Sequence, residues 1–227
     1  MSNRKFENSP DDIVIVSGAR TAVAKFGGSL KTMSAIDMGS IVVAEAVKRA
    51  GIDPAVVDEC IIGQVGGWGP NGFVARAISL KAGLPNETCA YSVNRQCGSG
   101  LQSIADGIME IKCGQSEVVV AGGSESLSQL PYYVPSARWG ARMGHKQFED
   151  GVIDILTWPL DMSHNGITAE NVAKKFNVSR EEQDAFAAQS QQRACKAIAE
   201  GVFKDEIVPV EIHGRKGAVT VFDTART

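Results

Sequence analysis

Short apolar runs alternate with amphipathic helical patterns through the first half of the chain, and this alternation limits the fold more than any other feature. Residues 13–16 (Ile-Val-Ile-Val) form an all-apolar run of strand length. Ser34 then opens a helical pattern, with Asp37 three residues on as in a capping box, and Gly51 stops it. Asp53-Pro54 starts a short turn of helix. Residues 60–65 read as a second strand, 73–82 as a second helix ended by Gly83 and Pro85, and 89–93 as a third strand. A helical pattern over 101–112 and a strand over 118–121 complete the series. This order predicts an α/β fold, a layered βαβαβ unit whose largely parallel sheet is covered by helices. In open sheets of this kind, ligands bind beyond the carboxyl ends of the strands.

After Gly122-Gly123 the pattern changes. Residues 130–144 hold two prolines, two tyrosines, Trp139 and two glycines without periodicity. Long excursions of this kind inside compact enzymes are usually functional or lid-like. A helix is expected to begin near Thr168, with Asn171, Val172 and Phe176 in its run. The next helix is better specified: Ser179 caps it, Glu182 closes a capping box, and Gly201 ends it. Its apolar face is predicted to carry Phe186, Ala187, Ser190, Ala194, Ala197 and Ile198. Residues 207–212 read as a strand that carries Pro209 and so belongs at an edge. The expected division is an α/β domain over 1–123 and a mainly helical insertion over 124–227.

Composition removes several function classes. A net charge of -3 gives no electrostatic attraction to nucleic acid or to an anionic membrane. No apolar run reaches the length of a membrane span. Residues 1–12 are polar and lack the apolar core of a secretion signal. The five cysteines are odd in number and show neither CxxC nor Cys/His ligand spacing. That pattern fits a reducing cytoplasm, with no disulfide framework and no metal site.

The chemistry concentrates at Cys97, in Val93-Asn94-Arg95-Gln96-Cys97-Gly98-Ser99-Gly100. A strand that turns through small residues into a helix lifts the turn side chain above the sheet, and two glycines permit close backbone approach. The positive end of that helix favours a thiolate over a thiol. Two readings of Cys97 stand at this point: a nucleophile, or a small buried hydrophobe. The run Cys97-Gly98-Ser99-Gly100 is not a dinucleotide fingerprint, because its third glycine is missing. Residues 63–72 are glycine-rich but lack the lysine of a phosphate loop, and read as a flexible connection. Of the three histidines, His145 and His213 lie in polar surroundings. His164 directly precedes a helix start, where a site role and a helix-flanking structural role are both open.

The segment from Asn94 through Leu101-Gln102 strongly resembles the nucleophile motif of the thiolases, the acetyl-CoA acetyltransferases and 3-ketoacyl-CoA thiolases. Ser17-Gly18-Ala19-Arg20-Thr21 with Phe26-Gly27-Gly28 resembles the family's opening strand and turn. Ala121-Gly122-Gly123-Ser124-Glu125-Ser126 is similar to its Gly-Gly-x-Glu segment. Arg138-Trp139-Gly140 and residues 166–173 resemble the CoA-binding loop domain, and 179–187 the helix after it. The resemblance spans nearly the whole chain and implies the first half of the duplicated thiolase fold with its inserted loop domain.

That resemblance implies roles. Cys97 would attack an acyl thioester or 3-ketoacyl group and carry the acyl chain as an enzyme thioester, which a second thiol or a carbanion then cleaves. His164 would lie along the pantetheine arm, with Asn165 beside it, where the family usually has His-Met-Gly. Arg226 is weakly similar to an arginine near the nucleotide. Coenzyme A is implied as substrate and product, with no tightly bound cofactor, and homodimers or tetramers are implied, residues 69–84 resembling a segment near the dimer interface. The resemblance stops at Thr227. It leaves out the last strand of the first half and the whole second half, and with them the family's general base, its second catalytic cysteine and an oxyanion hole. Two function classes follow: an acyltransferase of thiolase type, here incomplete and inactive alone, or a non-catalytic CoA-thioester-binding or half-site subunit that pairs with a separate second half.

Overall fold

The computed structural model describes residue 9 and residues 12–213 and 219–224. Its centre is a three-stranded parallel sheet in the order β2-β1-β3, built from β1 (Glu59–Gly63), β2 (Cys89–Val93) and β3 (Val119–Gly123). Glu59 lies opposite both Cys89 and Val119, so all three strands end level at Gly63, Val93 and Gly123. Cys60, Ile61 and Ile62 are buried on both faces, as a continuous apolar run in a central parallel strand requires.

Helices cover both faces. Helices α1 (Ala35–Ala50) and α2 (Val74–Lys81) bury Val43, Val47, Val74 and Ile78 against Cys60 and Ile62 on one side. Helix α3 (Ser99–Lys112) lies on the other, where a methyl group on Gly107 would come 2.9 Å from Val119 and 3.8 Å from Ile61. Local rules explain where α1 starts and stops. Ser34 accepts from the Asp37 N–H at 3.0 Å, Asp37 completes the capping box, and Gly51 ends the helix with φ of 68°. Asp58 ties the sheet together at its lower end, accepting from the Glu117 and Val118 N–H groups at 2.7 and 3.0 Å.

Beyond β3 the chain forms short elements: β4 (Tyr132–Tyr133) with β5 (Glu149–Asp150), α4 (Gly151–Ile155), and β6 (Thr157–Trp158) with β7 (Ser163–His164). Helices α5 (Asn165–Phe176) and α6 (Arg180–Ala199) follow, then the antiparallel pair β8 (Val210–His213) and β9 (Val219–Phe222). The last pair folds back on the start of the chain. Ile207, Val210 and Phe222 form a second core with Ala22, Leu30 and Met38, and Arg20 both donates to Glu206 and accepts from Val208.

Three sequence expectations change. Residues 13–16 do not enter a sheet: they pair with no described strand, and Ile15 is 79% exposed. An apolar run needs a partner edge to become a strand, and no described strand lies beside it. The strand expected over 207–212 begins only at Val210, after Pro209, which cannot donate to a ladder. Finally, α6 keeps its capping box at Ser179 and Glu182 but buries none of its residues, and Phe186 remains 71% exposed. Its apolar face has no described surface to pack against.

Candidate active site

The Cys97 turn stands on two glycines, Gly63 and Gly123, to which sequence reading assigned no such role. A Cβ on Gly63 would lie 2.3 Å from the Ser99 carbonyl carbon, and one on Gly123 would lie 3.2 Å from the Gly100 Cα. The first distance is closer than real Cβ atoms come and the second is tight, so the end of β1 admits the first turn of α3 only because Gly63 lacks a side chain, and Gly123 eases the fit at the end of β3. Ser103, fully buried, fixes this seat by donating in a shared fashion to the carbonyls of Gly100 and Gly122, both at 2.8 Å. The first turn of α3 is thereby pressed onto the carboxyl ends of two strands. The available signal was glycine at the last position of two neighbouring strands.

Within the turn the backbone is constrained. Gln96 adopts φ of 50°, a left-handed conformation uncommon for a residue with a side chain. It is held there by Asn94, whose Oδ1 accepts from the Gln96 N–H at 2.9 Å, and by Ser99, whose hydroxyl donates to the Gln96 carbonyl at 2.5 Å. The same hydroxyl accepts from the Arg95 N–H at 2.9 Å. Local strain held by surrounding bonds is common where a side chain must be presented in one orientation. Here it turns Cys97 outward, and the thiol is exposed. The buried-hydrophobe reading of Cys97 therefore fails. Helix α3 begins two residues later with Gly98 at its N-cap and no side chain capping it, and the Gly98 and Ser99 N–H groups donate to the Arg95 and Gln96 carbonyls within the turn.

Glu125, from the Gly-Gly-x-Glu segment, shapes the next loop. Its Oε2 accepts from the Val65 and Gly66 N–H groups at 2.8 and 3.4 Å. Neighbouring Gln64 is buried, and neither polar atom of its side chain finds a protein partner.

Among the described residues, neither His164 nor Asn165 is hydrogen-bonded to the Cys97 turn. His164 is half-buried and occupies the N-cap of α5, where its Nδ1 accepts from the Gly166 N–H at 3.0 Å. This is the helix-flanking role left open by the sequence. Asn165 is the exposed first residue of α5, and its N–H donates to Leu156. Arg226 lies outside the described residues. Among the described residues no histidine or carboxylate forms a hydrogen bond with Cys97, and Cys97 does not line the cavity between α1 and α3. Cys60 is the opposite case, a buried thiol pushed up to about 12 by loss of solvation. No helix among the described residues is long and apolar enough to cross a membrane.

Comparison with known proteins gives the context of this turn. Residues 13–227 match the family described as Thiolase, N-terminal domain. An acetyl-CoA acetyltransferase of Pseudomonas aeruginosa is 47% identical over 214 residues, covering 94% of this chain and 54% of the relative. The beta-ketothiolase BktB of Cupriavidus necator is 44% identical with the same coverage of both chains. A crystal structure of the Bacillus anthracis acetyl-CoA acetyltransferase superposes with a TM-score of 0.90 at 40% identity, over 93% of this chain and 53% of that one. The chain thus spans about half the length of these relatives. With a match along nearly its whole length and the strand-turn-helix frame intact, this chain belongs to the thiolase family.

Proposed function

We propose that the chain carries the acyl-accepting part of a thiolase-type acyltransferase, with Cys97 as nucleophile and acyl-CoA thioesters as substrates. The observation that carries the reading is the exposed Cys97 thiol on a constrained turn directly before the uncapped N-terminus of α3. In the proposed step the Cys97 sulfur attacks the thioester carbonyl carbon of acetyl-CoA. A carbon–sulfur bond forms to Cys97 and the one to coenzyme A breaks, so CoA leaves as a thiol with the proton Cys97 gave up. No redox change occurs. The N–H groups of the first turn of α3 are suited to stabilise the oxyanion formed on the way. Completing acetyl-CoA C-acetyltransfer then requires a base to form the second carbanion. In this reading His164, Asn165 and Arg226 contact the CoA moiety, with 124–227 as the CoA-binding insertion and 1–123 as the catalytic α/β unit.

The lack of any described acid–base group on Cys97 favours one restriction on this reading: the chain performs acyl transfer to itself but needs a base from elsewhere for turnover. The test is intact-mass spectrometry after incubation with acetyl-CoA. One acetyl group per chain, mapped to the Cys97 peptide and absent in Cys97→Ser, is the expected result. Acetylation on Cys89, Cys113 or Cys195 at an equal rate would remove Cys97 from the nucleophile role.

A further inference from the structure

The chain holds two Asn-Gly pairs, Asn71-Gly72 and Asn165-Gly166. Such a pair can rearrange by itself. The glycine nitrogen attacks the side-chain carbonyl carbon of the asparagine, and a glycine, lacking Cβ, does not hinder the approach. Three local conditions decide whether a folded chain permits this. The asparagine side chain must be free to turn, the glycine nitrogen must lose its proton, and the backbone must rotate without breaking a ladder of hydrogen bonds.

Asn165-Gly166 meets all three. Both residues are exposed, and among the described residues the Asn165 side-chain amide has no hydrogen-bond partner. They open α5, so the Gly166 N–H belongs to the first turn, whose N–H groups have no acceptor within the helix. Its acceptor is instead the imidazole of His164, at 3.0 Å from Nδ1. A nitrogen that accepts carries no proton of its own. A basic atom therefore already sits on the proton that has to leave. The caps of α1, α4 and α6 are Ser34, Asp150 and Ser179, hydroxyls and a carboxylate, whereas α5 alone is capped by an imidazole. Asn71-Gly72 provides the contrast within the same chain. Asn71 Nδ2 donates to the Gly66 carbonyl at 3.2 Å, and the Asn71 carbonyl accepts from the Val74 N–H. Both residues lie inside the short helix over Gly69–Phe73, and among the described residues no side chain accepts from the Gly72 N–H.

We propose that Asn165-Gly166 is a self-modifying site at which the chain converts Asn165 to aspartate and isoaspartate, with His164 as the base. His164 Nδ1 takes the Gly166 N–H proton as the Gly166 nitrogen bonds to Asn165 Cγ. The bond from Cγ to the amide nitrogen then breaks, the proton passes to the leaving nitrogen, and ammonia departs from a cyclic imide. Water adds to one of the two imide carbonyl carbons and the ring opens, giving aspartate from one side and isoaspartate from the other. Water is consumed, ammonia is released and no redox change occurs. The product carries a negative charge in the first turn of α5, which holds no acidic residue and whose positive end favours one.

The test is peptide mapping of the full 227-residue chain during incubation at neutral pH, with the aspartate and isoaspartate forms of each Asn-Gly peptide separated by chromatography. Position 165 should convert at least about tenfold faster than position 71, a modest share of what a positioned base supplies. In urea-unfolded chain the two rates should converge. His164→Ser keeps a side-chain oxygen to cap α5 but has no nitrogen to take the proton. Its conversion at position 165 should fall to the rate at position 71, with unchanged far-ultraviolet circular dichroism. In His164→Ala, added imidazole should restore conversion, which a lost cap alone would not produce. The proposal is overturned if position 71 converts first or equally fast in the folded chain, or if imidazole has no effect. It is equally overturned if His164→Ser converts at the parent rate or faster, which would make fraying of α5 the cause. Neither Cys97 nor acyl-CoA enters this readout, so it and the acyltransfer reading fail separately.

Discussion

Cys97 and Cys113 sit at opposite ends of one helix, both exposed, and so compare one side chain in two fields. Cys97 lies at the positive end of the α3 dipole, whereas Cys113, at the C-cap, lies at the negative carbonyl end. Alkylation by iodoacetamide at neutral pH should label Cys97 several-fold faster than Cys113, and Cys60 last, because it is buried and its thiol is pushed up to about 12. Peptide mapping that finds Cys113 modified first would contradict the arrangement. His164 makes a second residue-level case, since its visible work is to cap α5. Losing an N-cap acceptor typically costs about 1 kcal/mol. His164→Asn should therefore keep the stability that His164→Ala loses, as read by urea denaturation. If the imidazole also contacts the CoA arm, calorimetry should show weaker CoA binding in both variants. Unchanged CoA affinity in both leaves His164 as a cap alone.

At the level of elements, the seating of α3 on β1 and β3 gives the most severe substitution. Gly63→Ala places a methyl group 2.3 Å from the backbone of Ser99, where no flexible side chain can yield. The cost should reach the upper range for overpacking, about 3 kcal/mol or more, and the displaced helix start should slow Cys97 alkylation in parallel. A second element-level effect is electrostatic. Hydrogen bonds from the Val118 and Glu117 N–H groups hold the Asp58 carboxyl below its ordinary value of 3.8. A carboxylate with a lowered folded-state value stabilises the fold above its unfolded value, and that contribution disappears as pH falls through the folded one. Asp58→Asn should thus be less stable than the parent at neutral pH, with the difference shrinking below about pH 4; a constant gap across the acid range would rule out the charge as its source. These elements also show what could be read from sequence. The capping boxes at Ser34–Asp37 and Ser179–Glu182 were legible because each is closed within four residues by its own backbone. The roles of Gly63 and Gly123 were not, because they exist only once parallel pairing brings two distant strand ends under one helix. The run at 13–16 reads as a strand on composition alone, yet strand pairing is a property of two segments, and only one is present among the described residues.

The same division holds for the molecule. The turn that presents Cys97 is built by residues 59–125; its strand-turn-helix pattern was legible in the sequence, and the glycine seat beneath it was not. What remains uncovered is consistently apolar: the edge of β3, residues 13–16, and the faces of α5 and α6, where Ile167, Phe176 and Phe186 are more than half exposed. These faces explain why helices with well-formed caps carry no core of their own. Catalysis should follow the same boundary. Formation of an acyl-thioester at Cys97 needs an accessible sulfur and a carbonyl, both compatible with the described turn. Claisen condensation also needs a base to remove a proton from the second acetyl group, and among the described residues none is hydrogen-bonded near the thiol. The loss of a general base lowers rates by about a hundred- to ten-thousand-fold, and an incomplete oxyanion site lowers them further. The purified chain should accordingly take up one acetyl group from acetyl-CoA and then stop, with no acetoacetyl-CoA accumulating and almost no thiolysis of added acetoacetyl-CoA. A progress curve that ends at one equivalent of released CoA per chain is the expected signature. Sustained turnover by the chain alone, lost in Cys97→Ser, would show that a base exists within it, and His145, His164 and His213 would be the residues to replace first.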